Sequence, residues 1–226
     1  MLSLATFADP GSAEKEQSLS VELTTTSILA KVKAYDEKIE RITFKFTEEF
    51  FLTPTGEREK LTGRVYFDRK NFRVRADYSG RVKYKLWIDK NTAYLFDESL
   101  RQVVVRKWED FGQMHLQAFM DLPVFFDLGK FEDRYHFSLA KASGAAQGVV
   151  YLRADPKKSA TQPYHLLFGI EAASGRPESL KLVFNNYEAS LRISDARPNA
   201  KFSDKIFDRQ FAKDVSVIDM TSTRSE

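Results

Sequence analysis

Phe72-Arg73-Val74-Arg75-Ala76-Asp77-Tyr78 decides how this chain is read. Its apolar residues alternate with charged ones, and a side-chain period of two gives a strand one greasy and one wet face. Val82, Tyr84, Leu86 and Ile88 repeat the pattern against Lys83, Lys85 and Trp87. Val65 with Phe67, and Val103 with Val105, extend it on either side, so the whole stretch from Leu61 to Trp108 carries it. Turn residues separate the segments at Lys70-Asn71, Ser79-Gly80, Asp89-Lys90-Asn91 and Asp97-Glu98-Ser99. Strands at that spacing form an antiparallel meander. Its greasy face either packs on a filled core or encloses a cavity, and function turns on which.

The chain on both sides fills out the same architecture. Residues 1–26 read as a signal remnant or a disordered leader: Leu2 to Ala8 resembles the tail of a secretory signal, and Asp9 to Ser20 is small and polar. Thr26 or Ser27 is placed to cap a helix over about 27 to 40, with Ile28, Val32, Tyr35 and Ile39 as its apolar stripe. Phe44 and Phe46 then share one face of a strand that ends at the Thr53-Pro54-Thr55-Gly56 loop. From Glu109 to Phe131 the period changes. Met114, Leu116, Phe119, Met120, Leu122, Val124, Phe125, Phe126 and Leu128 are too many apolar positions for a helix with one dry face, and Pro123 interrupts them. This insert reads as a core helix or as a mobile plug. Five strands follow between Tyr135 and Asp195, and Val215, Val217 and Ile218 suggest a short last one. So many strands must curl to bury an apolar face. The expected fold is mainly β with α: an incomplete, unclosed antiparallel β-barrel of about 10–11 strands over residues 27–219, with a polar tail at 220–226.

Composition narrows function by exclusion. With no cysteine there is no disulfide framework, no thiolate metal site and no cysteine nucleophile. No apolar run approaches the ~20 residues a membrane helix needs. His115, His136 and His165 fall in different elements, none at metal-ligand spacing. There is no nucleophile elbow, P-loop or dinucleotide fingerprint. Glu48 and Glu49 are strand neighbours on opposite faces and cannot act as a pair, while Asp121 and Asp127 read as helix caps. The expectation is therefore no enzyme, no metal and no cofactor. Arg73, Arg75, Arg81, Lys83, Lys85, Arg101, Arg106 and Lys107 recur on the wet face. They are either a solvated surface or a docking patch for an anionic protein or membrane. Nucleic acid is disfavoured, because stacking aromatics on that face are sparse apart from Trp87.

Several segments, in order, resemble the LolA-like family of periplasmic lipoprotein carriers. Ile42-Thr43-Phe44-Lys45-Phe46-Thr47 after the helix is similar to the family's opening. Gly63 to Arg73 resembles its strand running into an arginine, with Lys70 where proline is usual. Asp89-Lys90-Asn91 through Asp97, then Gln102-Val103, resembles its Asp-Gly-Lys turn and following strand. Phe207 to Val217 resembles its closing segment without the Pro-x-Gly. The resemblance implies helices as a lid over a hydrophobic cavity for acyl chains. The cavity would be lined by Phe44, Phe46, Val65, Phe67, Phe72, Val74, Tyr84, Leu86, Tyr94 and Phe96, and the lid built from Met114, Leu116, Phe119, Met120, Leu122, Phe125 and Phe126. Arg69 would be the latch that holds lid backbone. By the same resemblance the protein is a monomeric periplasmic carrier that binds acyl chains of lipoproteins or related lipids. It would take them from an inner-membrane releasing complex to an outer-membrane acceptor. The alternative is a sensor or adaptor domain on the same fold, which binds lipid or lipoprotein and signals through protein contacts.

Overall fold

The computed structural model describes residues 23–80, 83–108, 132–140, 147–157 and 164–222. Helix α1 runs Thr25–Asp36. Its cap is Thr24, not Thr26 or Ser27. Thr24 Oγ1 accepts from the Ser27 N–H at 3.1 Å, and Ser27 Oγ accepts from the Thr24 N–H at 3.0 Å. This reciprocal pair satisfies two donors that a helix start leaves free. The helix stops at Asp36, short of the expected end. Ile39 is buried in the turn that follows, and Ile42 in the first strand.

The strands are β1 (Arg41–Leu52), β2 (Glu57–Asp68), β3 (Arg73–Ser79), β4 (Tyr84–Asp89), β5 (Thr92–Asp97), β6 (Gln102–Lys107), β7 (Tyr135–Ala140), β8 (Val149–Pro156), β9 (Tyr164–Glu171), β10 (Pro177–Phe184), β11 (Tyr187–Pro198) and β12 (Ser216–Asp219). All lie in one sheet of order β12-β6-β5-β4-β3-β2-β1-β11-β10-β9-β8-β7, whose two end strands do not pair with each other. The sheet is thus an unclosed barrel wall of twelve strands. Every neighbouring pair is antiparallel except β12, which lies parallel to β6. The sequence pattern did not announce that direction, because it comes from the long return of residues 199–215 across the outside.

Register assigns the faces. Phe44 pairs with Val65, Val65 with Ala76, and Ala76 with Leu86. On the other side of β1, Glu48 pairs with Leu191, Leu191 with Leu180, Leu180 with Phe168, and Phe168 with Leu152. These residues share the inner face. Apart from Glu48, they form one hydrophobic cluster with Ile28, Val32 and Ile39, so the sheet curls around α1. Phe72, expected as the first strand residue, instead sits in the β2–β3 turn with φ +46°, and β3 begins at Arg73.

The outer face of β1–β6 is also covered. Trp87 pairs with Tyr94, and Tyr94 with Val105, so all three point outward. The chain after β11 straps over them. Phe211 meets the rings of Trp87 and Phe96 at 5.8 and 5.6 Å. The Arg209 guanidinium lies 4.1 Å from the centre of the Tyr94 ring and reaches Asp89 at 3.3 Å. Further along, Arg73 stacks on Phe207 and Arg41 on Phe202, contacts that add cation–π attraction to packing. Asp68, nearly fully buried, accepts from Arg73 at 2.6 Å and from Arg41 at 3.1 Å. Both arginines also hold Asp204 of a 3₁₀ turn, Asp204–Phe207, in the strap. Burial alone would raise the Asp68 carboxyl, but the hydrogen bonds from Arg73, Asn71 and Arg41 outweigh it and hold it well below the usual range. Among the described residues, several of these basic side chains are paired within the molecule. Arg75 donates to the Ile206 carbonyl at 2.7 Å, Lys85 pairs with Glu98, and Arg101 pairs with Asp214. That favours the reading of these side chains as structural over a docking patch.

Gly175 fixes how closely α1 approaches the sheet. It lies in the β9–β10 turn with φ +79°, and a Cβ there would come within 2.4 Å of the Lys31 carbonyl. Lys31 Nζ donates to Ala172 O of the same turn at 2.6 Å. Gly56, with φ +70°, has nothing within 4 Å of its would-be Cβ. Gly56→Ala should therefore cost only the left-handed backbone penalty of about 1–2 kcal/mol. Gly175→Ala should cost about 3 kcal/mol or more, because the helix must also shift. Urea unfolding of both variants separates the two, and equal midpoints would show that α1 does not rest on this turn.

Candidate functional site

The concave face is the candidate site. Of the residues expected to line a cavity, Phe44, Phe46, Val65, Phe67, Val74 and Leu86 lie together on it, buried in the cluster that includes α1. Phe72 joins them from its turn, its ring 6.3 Å from Phe67. Tyr84, two residues before Leu86 on β4, faces the same way and is half-buried. Tyr94 and Phe96 are on the other side of the sheet, under the strap. The signal was present in the sequence: Leu86-Trp87-Ile88, Tyr94-Leu95-Phe96 and Val103-Val104-Val105 are continuous apolar runs, and such runs mark strands covered on both faces. The expected lid residues Met114, Leu116, Phe119, Met120, Leu122, Phe125 and Phe126 lie outside the described residues.

Beside the packed part, the inner face carries aromatic side chains that keep partial exposure: Phe50, Tyr78, Phe137, Tyr164, Phe184 and Tyr187. Ring contacts join several of them. Phe50 meets Tyr187 at 6.0 Å, Tyr187 meets Phe184 at 6.1 Å, and Phe184 meets Tyr164 at 5.4 Å. Tyr164 and Tyr135 share a hydroxyl–hydroxyl hydrogen bond of 2.9 Å. This belt crosses β1, β11, β10 and β9 at one level, which requires the in-register pairing of those strands. Sequence reasoning missed it because the residues are scattered over more than a hundred positions and only the strand order brings them together.

One inner-face residue is out of keeping. Glu48 is 0% exposed, and neither carboxyl oxygen has a hydrogen-bond partner among the described residues. Burial first, and then the negative charge of Glu59, push its carboxyl up to about 8. Tyr78 and Tyr187 lie near enough that burial, and then Glu48, raise their hydroxyls as well. The Tyr187 hydroxyl is also without a partner among the described residues. Glu49 behaves as expected of the opposite face, exposed and paired with Lys60 at 3.1 Å.

Arg69 grips the end of α1. Its Nε donates to Ile39 O at 2.7 Å, and Nη2 donates to Asp36 O at 3.1 Å and to the Asp36 carboxylate. A planar fork reaching two carbonyls is what a guanidinium provides and an ammonium does not. The helix is thus tied to the β2–β3 turn at one end and to the β9–β10 turn near its middle.

Two of the histidines lie elsewhere, on β7 and β9. His136 pairs with Asp155 across β7 and β8, and His165 lies near, but Arg153 holds the Asp155 carboxylate through bonds as short as 2.7 Å. Among the described residues no three His, Asp or Glu side chains gather as metal ligands. A groove of about 360 Å³ opens beside Glu40, Arg41 and Asn199, away from the concave face. Among the described residues no helix is long and apolar enough to cross a membrane.

No family model matches the chain, and no curated protein does. Solved structures do. An uncharacterized conserved protein from Thermus thermophilus superposes with a TM-score of 0.55 at 13% identity, over 86% of this chain and 98% of that one. A LolA superfamily protein from Nitrosomonas europaea gives a TM-score of 0.43 at 15% identity, over 83% and 98%. A putative outer membrane lipoprotein-sorting protein domain from Vibrio parahaemolyticus gives 0.46 at 13%, over 80% and 94%. At these identities the likeness, carried by the Thermus thermophilus superposition, is one of fold alone.

Glu48 makes stability depend on pH in an uncommon direction. Its folded pKa is raised, so between about 4.5 and 8 the native state holds a proton that the unfolded chain releases, and stability falls as pH rises through that window. The melting temperature of the protein should drop by roughly 10 °C between pH 5 and 8 relative to Glu48→Gln, which cannot ionise. Parallel curves for the two proteins would mean that Glu48 is solvated.

Proposed function

We propose that the protein is a periplasmic carrier that binds acyl chains of lipoproteins or related lipids on the concave face and passes them toward the outer membrane. The observation that carries this reading is the aromatic belt of Phe50, Tyr187, Phe184 and Tyr164, partly exposed on the inside of an unclosed curved sheet. Apolar rings facing inward are of use to a long apolar guest. Each CH₂ moved from water contributes ~0.8 kcal/mol, so one C16 chain offers ~12 kcal/mol before ordering costs. Binding at that strength would be a trap unless the fold could open. Helix α1 supplies a part whose attachment is separable from the sheet's own hydrogen bonds, through the Arg69 fork on Asp36 and Ile39. The fork holds only the end of α1, through hydrogen bonds worth ~1 kcal/mol each, so that end opens and closes while Ile28 and Val32 stay packed. In this reading Arg69 remains a latch, acting on the helix end; a further grip on the segment around Met114 to Leu128 is part of the same proposal. The reaction carried out is binding and release, without covalent chemistry.

Two measurements test this. Lipid extracted from the protein purified out of its own cell envelope, and analysed by mass spectrometry, should contain acyl lipid near one molecule per chain; trace lipid only would remove the carrier reading. With a fluorescent triacylated peptide loaded, Arg69→Leu should change the rate of transfer to acceptor vesicles at least about fivefold, while Arg69→Lys falls between it and the parent. Equal rates in all three at equal loading would leave Arg69 as a structural tie.

A further inference from the structure

We propose that the Glu48 carboxyl is a polar anchor on the concave face, which hydrogen-bonds the ester carbonyl joining an acyl chain to its head group. The proposal rests on the acyl-binding reading above and adds a chemical class to it: acyl esters, in preference to hydrocarbon of the same length. Glu48 stands between Leu61 of β2 and Leu191 of β11 on the inner face, with no exposure and with both oxygens unpartnered among the described residues. Buried polar groups are nearly always satisfied, and one left without a partner destabilises the fold. Leucine at this position would fill the same space at no such cost. The strand does not require a carboxyl either, because its backbone groups are used in pairing with β2 and β11. A guest is then the partner that the described residues do not supply.

The chemistry of that guest follows from what surrounds the carboxyl. Among the described residues, the titratable groups facing it are Glu59 from β2, Tyr78 from β3 and Tyr187 from β11. None brings positive charge, so at neutral pH the protonated acid is favoured. A protonated carboxyl has one O–H to donate. The Tyr187 hydroxyl, equally unpartnered among the described residues, supplies a second. Two neutral donors next to an apolar belt suit a carbonyl at the end of an acyl chain. An ester carbonyl drawn in with its chain costs free energy there unless it accepts a hydrogen bond. Ionisation of Glu48 would remove the first donor and place a negative charge against the carbonyl oxygen, so the anchor would fail at alkaline pH.

The test compares a dioleoylglycerol probe with its ether-linked dioleyl counterpart, which has the same chains and no carbonyl. Both are titrated against the full chain by displacement of an environment-sensitive naphthalene dye. At pH 6.5 the ester should bind about five- to tenfold tighter than the ether, the size of one or two net hydrogen bonds. Glu48→Leu should abolish that ratio while leaving ether affinity unchanged or improved, and its melting temperature should not fall. Glu48→Gln keeps a neutral donor and should retain most of the ratio. At pH 9 the parent should lose its preference and Glu48→Gln should not. Equal ester and ether affinities in the parent, or a preference that survives Glu48→Leu, would overturn the anchor while leaving acyl binding in place. Displacement by neither lipid would overturn the acyl-binding reading and the anchor with it.

Discussion

Helix α1 can lie inside the curved sheet only because the β9–β10 turn presents a bare backbone at Gly175. The contact is too close for any side chain, and the turn needs a positive φ at the same residue. Two independent constraints thus meet at one glycine. With the helix seated there, Ile28 and Val32 reach the inner faces of β1–β5 and β7–β11 together. That shared burial is what allows an open sheet of twelve strands to hold its curl without closing. A closed barrel fixes curvature by hydrogen bonds all the way round. Here a packed helix does part of that work, which makes the curvature sensitive to where the helix sits.

The outer strap completes the arrangement from the other side. Strands β4–β6 are apolar on both faces, and a sheet edge of that kind left bare would invite association with other chains. Phe211 covers it at Trp87 and Phe96, while Phe207 and Phe202 carry the strap on over Arg73, Tyr66 and Arg41 of β1–β3. Arginines from the strands stack on those rings, and Arg209 of the strap stacks on Tyr94. The Asp68 cluster locks one end of this cover, since a buried carboxylate with two guanidinium partners anchors Asp204 as well. The consequence for function is a division of labour between faces: the outside of β1–β6 is covered by the chain's own C-terminal segment, and the inside keeps partly exposed aromatics.

Much of this was legible in the sequence. The alternation at Phe72–Tyr78 and its neighbours gave the meander, its direction and most of its inner face. The order of segments gave the resemblance in fold. What failed did so for physical reasons. Tyr94 and Phe96 face outward, against the resemblance that places them in the cavity, because β5 is covered on both faces and shows no wet side to tell them apart. Thr24 was overlooked as the cap because Ser27, the residue that looked like a cap, is its reciprocal partner. Phe72 entered the strand on pattern alone, although its positive φ belongs to the turn. The aromatic belt and the unpaired state of Glu48 depend on which strands are neighbours, and no local pattern carries that information. The lid expected between Met114 and Leu128 lies outside the described residues and stands as the sequence left it.

Asp68 and Glu48 are a contrast between two uses of a buried acid in one sheet. Asp68 is surrounded by donors, its charge is matched twice over, and its removal would leave Arg41 and Arg73 facing each other; everything about it serves the fold. Glu48 has no donor among the described residues, one acidic neighbour and two tyrosines, and it costs a stability margin that is only ~5–15 kcal/mol for a typical domain. Groups that folding alone would discard are the ones to examine for function. The position of Glu48 sharpens that inference. It sits on the same strand and the same face as Phe50, one step along the pleat from the first ring of the aromatic belt. A guest lying along the belt would meet apolar surface over its length and a single hydrogen-bonding group beside it, the pattern by which pockets orient an otherwise featureless ligand.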